Sequence, residues 1–166
     1  MISQARKALV ALALTTLSVP IMFGVAPSGA QTKPAAPAAA KKPSITLGTA
    51  SSKFGNIMVD EKGLTLYMFT PDARNVSNCE GACLTAWPPV MLGKDDTLAD
   101  VALTGDLRRS LLGVAMRENG SRHVTYNGWP LYYWFRDAKA GDTLGQWVNN
   151  IWFVMSPEGA PNSLRG

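Results

Sequence analysis

The stretch Gly128-Trp129-Pro130-Leu131-Tyr132-Tyr133-Trp134-Phe135-Arg136-Asp137 is matched sixty-five residues upstream by Gly63-Leu64-Thr65-Leu66-Tyr67-Met68-Phe69-Thr70-Pro71-Asp72. The same offset carries outward in both directions without a gap, so that Gly48, Ala50, Gly55, Val59 and Trp87 meet Gly113, Ala115, Gly120, Val124 and Trp152. Self-similarity at one fixed spacing marks a duplicated structural unit. The chain is therefore read as two copies of one design, about 46–91 and 111–156.

Each copy is a series of short apolar runs divided by turn residues, the pattern of antiparallel strands. The first copy offers 44–50, 56–60 and 64–70, the last two joined by Glu61-Lys62-Gly63, where glycine supplies the positive φ of a tight turn. The second offers 111–117, 122–126 and 129–135, with Asn127-Gly128 as a strong hairpin signal. A polar loop and a last apolar run opened by tryptophan, 87–92 or 152–155, complete each unit. One such sheet leaves an apolar face that the other copy can cover. The predicted fold is mainly β: two tandem four-stranded antiparallel repeats packed as a pseudo-twofold sandwich or barrel, with short helical turns in the loops. The polar connection 93–109 is expected to hold one such turn.

Ahead of the repeats, Arg6 and Lys7 precede an apolar run over 8–26 and then Ser28-Gly29-Ala30, which reads as a signal peptide over 1–30 cleaved before Gln31. Pro20 and Gly24 argue against the alternative, an uncleaved membrane anchor. Residues 31–43 are rich in Pro, Ala and Lys and read as a linker, 44–159 as a single β domain and 160–166 as a flexible tail. No cysteine precedes Cys79. The expected product is soluble, periplasmic or secreted, not lipid-anchored, and without stable membrane insertion after cleavage. Of the 16 basic residues five lie in 1–43, leaving eleven against all 12 acids in the remainder. A near-neutral domain lacks the basic stripe that binding phosphate backbones requires, so nucleic acid is not an expected partner.

Cys79 and Cys83, four apart in a chain bound for an oxidising compartment, suit a structural disulfide; a redox-active or metal-binding pair is the alternative. Asp72 and Asp137 stand at equivalent places, each five residues after a repeat tyrosine. They read either as an acid–base pair or as loop-opening carboxylates that bond nearby N–H groups. Tyr67 and Tyr132 are core anchors or ligand platforms. His123, the one histidine, faces Met58 in the ungapped alignment. With Met58, Met68 or Met91 it could hold copper; ordinary packing is the simpler account. The aromatic surplus of the second copy, with Tyr132, Trp134 and Trp147 in it, is either buried on both faces of a strand or an exposed shelf. No hydrolytic triad, phosphate loop or haem-attachment motif is present.

At Tyr67-Met68-Phe69-Thr70-Pro71-Asp72 and Tyr132-Tyr133-Trp134-Phe135-Arg136-Asp137 the chain resembles the bacterial secreted-repeat lipoproteins marked by a Yx(FWY)xxD motif. Cys79-Glu80-Gly81-Ala82-Cys83 before Trp87-Pro88-Pro89, Tyr126-Asn127-Gly128-Trp129-Pro130-Leu131-Tyr132, and Gly141-Asp142-Thr143 before Gly145-Gln146 extend the resemblance over roughly 45–159. It departs from the family in lacking the lipid-bearing cysteine and in placing His123 where a residue such as Gln is expected. The resemblance implies an exported module of unknown molecular function. The functional expectation is a non-enzymatic envelope binding module with Tyr67, Asp72, Tyr132, Trp134, Asp137 and Trp147 as candidate ligand residues, its partner an envelope protein or small ligand and its cofactor none. The alternative is a redox or metal accessory protein holding copper or haem.

Overall fold

The computed structural model describes residues 41–164. The expected signal peptide and residues 31–40 of the expected linker lie outside the described residues. The strands are β1 (Ile45–Ser52), β2 (Gly55–Asp60), β3 (Tyr67–Phe69), β4 (Met91–Leu92), β5 (Val101–Leu103), β6 (Leu112–Met116), β7 (Arg122–Tyr126), β8 (Trp129–Pro130) and β9 (Trp152–Val154). A helix, α1 (Ala82–Ala86), precedes β4, and 3-10 turns occupy Leu98–Asp100, Arg109–Leu111 and Val148–Asn150.

Each copy opens with an antiparallel hairpin, β1–β2 or β6–β7. The two hairpins are superposable only with a gap. Leu66 N–H donates to Met58 O, Met58 N–H to Met155 O, and Met155 N–H to Leu66 O; in the second copy the same triangle joins Leu131, Val124 and Val90. Met58 is therefore the counterpart of Val124, and His123 that of Ile57. The ungapped alignment is displaced by one residue over these strands, because the first copy turns through Glu61-Lys62-Gly63 and the second through Asn127-Gly128 alone. Asp60 Oδ1 holds the longer turn, accepting the N–H of Lys62 and of Leu64, each at 2.9 Å. Asn127 and Gly128 have φ of 49° and 78°, the left-handed pair that a two-residue hairpin needs.

After the hairpins the copies exchange strands. β3 of the first pairs antiparallel with β9 of the second, and β4 of the first pairs with β7 of the second. The sheets are accordingly β2-β1-β5, β3-β9 and β4-β7-β6 with β8 also on β7. This corrects the expectation of two four-stranded units: the described residues are mostly β with repeated segments, but neither copy forms a four-stranded sheet of its own and no closed barrel is found among them. Side chains that alternate along a strand point to opposite faces, and here both faces are filled. Met58, Leu66 and Met68 enter one cluster with Val124 and Leu131, while Ile57, Val59 and Tyr67 enter another with Trp87, Tyr132 and Trp152.

The counterpart of β3–β9 is degraded. Residues 132–134 face Trp87, Pro88 and Pro89, and the two prolines have no N–H to give. The bridge of Pro89 with Tyr132 and the bonds from Tyr133 N–H to Pro88 O at 2.8 Å and from Phe135 N–H to Ala86 O at 3.1 Å are what remain. The expected strands 129–135 and 87–92 shorten to β8 and β4 for this reason. The connection 93–109 holds its expected turn and also β5, which lies parallel to β1. In the expected tail, Asn162 N–H donates to Val154 O at 2.9 Å and its side chain bonds Phe54 O.

Exchange predicts that neither copy folds alone. Fragments 44–106 and 107–166 should each unfold without a cooperative transition in urea, and an equimolar mixture should regain one; cooperative unfolding of either fragment by itself would contradict the exchange.

Candidate functional site

Tyr67 and Tyr132 meet where the copies cross. Each donates its N–H to the other's carbonyl, at 2.8 and 3.0 Å. Their side chains then reach into opposite loops: Tyr67 OH donates to Asp137 Oδ2 at 2.6 Å, and Tyr132 OH to Asp72 Oδ2 at 2.7 Å. The second oxygen of each carboxylate holds its own loop, Asp72 Oδ1 accepting Asn78 N–H at 2.7 Å and Asp137 Oδ1 accepting Leu144 N–H at 2.9 Å. The tyrosines and Asp72 are buried and Asp137 is half-buried.

The two nodes are built differently around this shared bond. Beside Tyr132, Ser77 Oγ lies 2.8 Å from the hydroxyl, and Arg117 donates to Ser77 Oγ at 2.7 Å and to Cys79 O at 2.9 Å. Beside Tyr67, Gly145 donates its N–H to the hydroxyl at 3.2 Å. A Cβ at 145 would sit 2.8 Å from Tyr67 and 2.9 Å from Trp87, so the close approach needs glycine. Burial pushes Asp72 up to about 6, against the Asn78 N–H, the Tyr132 hydroxyl and the Arg117 charge, all of which favour the carboxylate. Burial also raises Asp137, with Asp142 adding to it. Both tyrosines are held well above the usual phenol range, first by burial.

His123 is fully buried, edge-on to Tyr132 with ring centroids 4.7 Å apart. Its Nε2 stands 2.7 Å from Leu131 O, which can only accept, so Nε2 carries the proton. Nδ1 has no partner among the described residues. Burial pushes the imidazole down to about 4. Met58 belongs to the cluster of Leu47 and Leu66, while His123 packs on Tyr132 of the other cluster. The structure does not place the two as strand counterparts, and among the described residues no group of three or more His, Cys, Asp or Glu could hold a metal ion.

A column of rings runs past this crossing. Trp87 and Trp152, counterparts in the repeat, stack at 3.7 Å and 4°. Phe69 covers Trp152 at 4.2 Å, Trp134 covers Trp87 at 4.1 Å, and Phe135 meets Trp134 edge-on at 4.7 Å. The aromatic two places after each tyrosine therefore caps the tryptophan of the opposite copy. Phe135 ends the column 56% exposed, with the Arg136 guanidinium 5.1 Å from its ring. Trp134 is half-buried. Trp147 is also half-buried, against Phe153, at a φ of 65°, with Nε1 donating to Leu164 O at 3.1 Å. Leu144 is 61% exposed.

Cys79 and Cys83 form the disulfide, with Cα atoms 5.4 Å apart. It closes the loop that leads through α1 to Trp87. Ser77 and Arg117 were not visible as partners of Tyr132 in the sequence, because they come from two loops forty residues apart. The tryptophan stack had a signal: Trp87 and Trp152 are identical positions of the repeat.

The chain belongs to a lipoprotein family described as a secreted repeat of unknown function, whose pattern matches residues 48–91 and again 113–156. No curated protein and no solved structure matches it. Membership corrects one expectation. The lack of a cysteine before Cys79 argued for a protein without a lipid anchor, whereas the family is named as one of lipoproteins, which implies a lipid-anchored secreted protein. Among the described residues no helix is long and apolar enough to cross a membrane.

Two predictions follow the geometry. Tyr132→Phe removes the donor from a buried carboxylate and should cost about 1–3 kcal/mol in urea unfolding, more than Tyr67→Phe, because water can reach half-buried Asp137. Equal losses would show the two nodes to be equivalent.

The second concerns pH. His123 has a depressed pKa, so its contribution to stability is present above its ordinary 6.5 and is lost as pH falls toward about 4. Asp72 has a raised pKa, so its contribution is present below 3.8 and lost as pH rises through about 6. The two oppose one another. His123→Ile, which installs the residue of the first copy, should make stability rise as pH falls from 6 toward 4; a profile parallel to wild type would refute the buried neutral imidazole.

Proposed function

We propose that the domain is a non-enzymatic binding module of the cell envelope, in which the crossed repeats form a rigid scaffold and the loops after Asp72 and Asp137 present the ligand surface. One contrast carries this reading. Asp72, Asp137, Tyr67 and Tyr132, the groups best suited to proton chemistry, are bonded to one another across the copies, whereas the aromatic column emerges at exposed Phe135 with Arg136 beside it. Tyr67 and Tyr132 serve from beneath, fixing the loops; Trp134 backs Phe135, and Trp147 shapes the neighbouring turn. A flat apolar ring beside a guanidinium suits a ligand or partner protein with an apolar face and an anionic group. The redox or metal alternative gains no support, since the cysteines are paired, His123 Nε2 is bonded, and the described residues hold no metal-binding cluster.

Binding of solubilised envelope components to the immobilised protein provides the test. Phe135→Ala with Arg136→Ala should abolish capture while leaving the unfolding midpoint within error of wild type, and Asp95→Ala, exposed in the connection between the copies, should leave capture intact. Capture undiminished in the double variant would remove this surface from consideration.

A further inference from the structure

β6 is the outer strand of its sheet. It pairs with β7 in the register Gly113 with Thr125 and Ala115 with His123, and the ladder continues at its ends as Asn127 N–H to Leu111 O and Arg117 N–H to Ser121 O. The alternation of an antiparallel ladder turns the N–H and C=O of Val114 and Met116, and the C=O of Leu112, toward the outer edge. Among the described residues none of these groups has a bonding partner, while Leu112 N–H is taken by Arg109 O. The counterpart strand β1 is not bare. β5 lies along it, Ile45 to Val101 through Leu47 to Leu103, and Thr104 N–H donates to Leu47 O at 2.9 Å. Edge strands are ordinarily protected by charge, proline or a bulge. Leu112-Gly113-Val114-Ala115-Met116 has none of these, and Met116 is 64% exposed.

We propose that β6 is the contact strand of a homodimer in which two copies of this chain pair antiparallel about Val114. In that register each Val114 exchanges N–H and C=O with the partner's Val114, and each Met116 N–H meets the partner's Leu112 carbonyl. Exposed Met116 then lies across from the half-buried Leu112 of the partner subunit.

The flanking charges select this occupant over an unrelated peptide. β6 is preceded by exposed Arg108 and Arg109 and followed by Arg117, whose guanidinium is held by Ser77 Oγ and Cys79 O, and then by exposed Glu118. Arg109 is held at its end by bonds to Leu98 O and Val101 O. Antiparallel pairing about Val114 carries Glu118, in the turn after β6, to the end of the strand where the partner's Arg108 stands, and the twofold repeats the match at the other end. A parallel arrangement would set like charge on like. The contact closes on itself as an isologous pair, and a strand of five residues a side makes it a reversible one.

The test is light scattering across a concentration series of the full chain isolated from the envelope. Wild type should pass reversibly from monomer to dimer. Glu118→Arg should weaken the dimer roughly fivefold through the two lost ion pairs, and adding Arg108→Glu should restore most of it. Val114→Pro deletes only an outward N–H and should abolish dimerisation while retaining the β spectrum. If that variant fails to fold, the charge exchange decides. A chain monomeric at every concentration, or a Glu118→Arg dimer as tight as wild type, overturns the proposal, as does a monomer that takes up an apolar strand peptide instead.

Discussion

A tyrosine hydroxyl of each copy bonds the carboxylate of the other, and everything else in the domain is arranged around that double exchange. A carboxylate taken out of water must be given donors or take up a proton. Asp72 and Asp137 receive one donor from their own loop and one from the opposite copy. The repeat motif can be read physically from this. Its tyrosine makes the cross-bond, the aromatic two places on caps the opposite tryptophan, and the aspartate five places on is where the chain has left the strand and must hold a loop. A half-domain would strand the cross-copy bonds of all four groups.

The symmetry is imperfect, and its breaks have identifiable causes. Pro88 and Pro89 stand where Phe153 and Val154 stand in the other copy, so one of the two crossing ladders is a regular strand pair and its twin is bonded only through N–H groups of the second copy, those of Tyr133 and Phe135. The ring contact survives the change, since Trp134 lies on Trp87 at 35° as Phe69 lies on Trp152 at 19°, and Tyr133 keeps its bond to Pro88 O. Burying aromatic area is worth at least as much as a ladder bond whose net contribution is about 1 kcal/mol.

What was legible in the sequence was local. The hairpins β1–β2 and β6–β7 were written in alternation and in Gly63 and Asn127-Gly128, and the disulfide in the spacing of Cys79 and Cys83. Strand exchange was not, because a pattern of apolar residues states which face is buried and not which partner covers it. The one-residue displacement of His123 was hidden for a related reason: identities at Gly63 and Gly128 fixed the alignment across turns of different length. β5 lay unseen in a polar connection, three residues long and paired only with a distant parallel strand. Of the candidate residues, the repeat set Tyr67 with Tyr132 and Asp72 with Asp137 at equivalent places. It could not say that they bond one another, since that required knowing that the copies cross.

The same constraint says where recognition can reside. Tyrosine, second aromatic and aspartate serve the crossing in both copies, and the differences between copies fall outside them. Thr70 stands where the other copy has exposed Phe135, and buried Cys79 where it has exposed Leu144. The disulfide-closed turn into α1 is replaced by Val148–Asn150, with Trp147, Asn149 and Asn150 all at positive φ. A non-glycine residue in that region is costly and persists only where its surroundings hold it. A ligand straddling the pseudo-twofold would need matching groups at 70 and 135, and the chain does not supply them. On the proposed binding role, the difference between 70 and 135 puts the aromatic contact on the second copy, and the first, closed by its disulfide, supplies Trp87, on which Trp134 is seated.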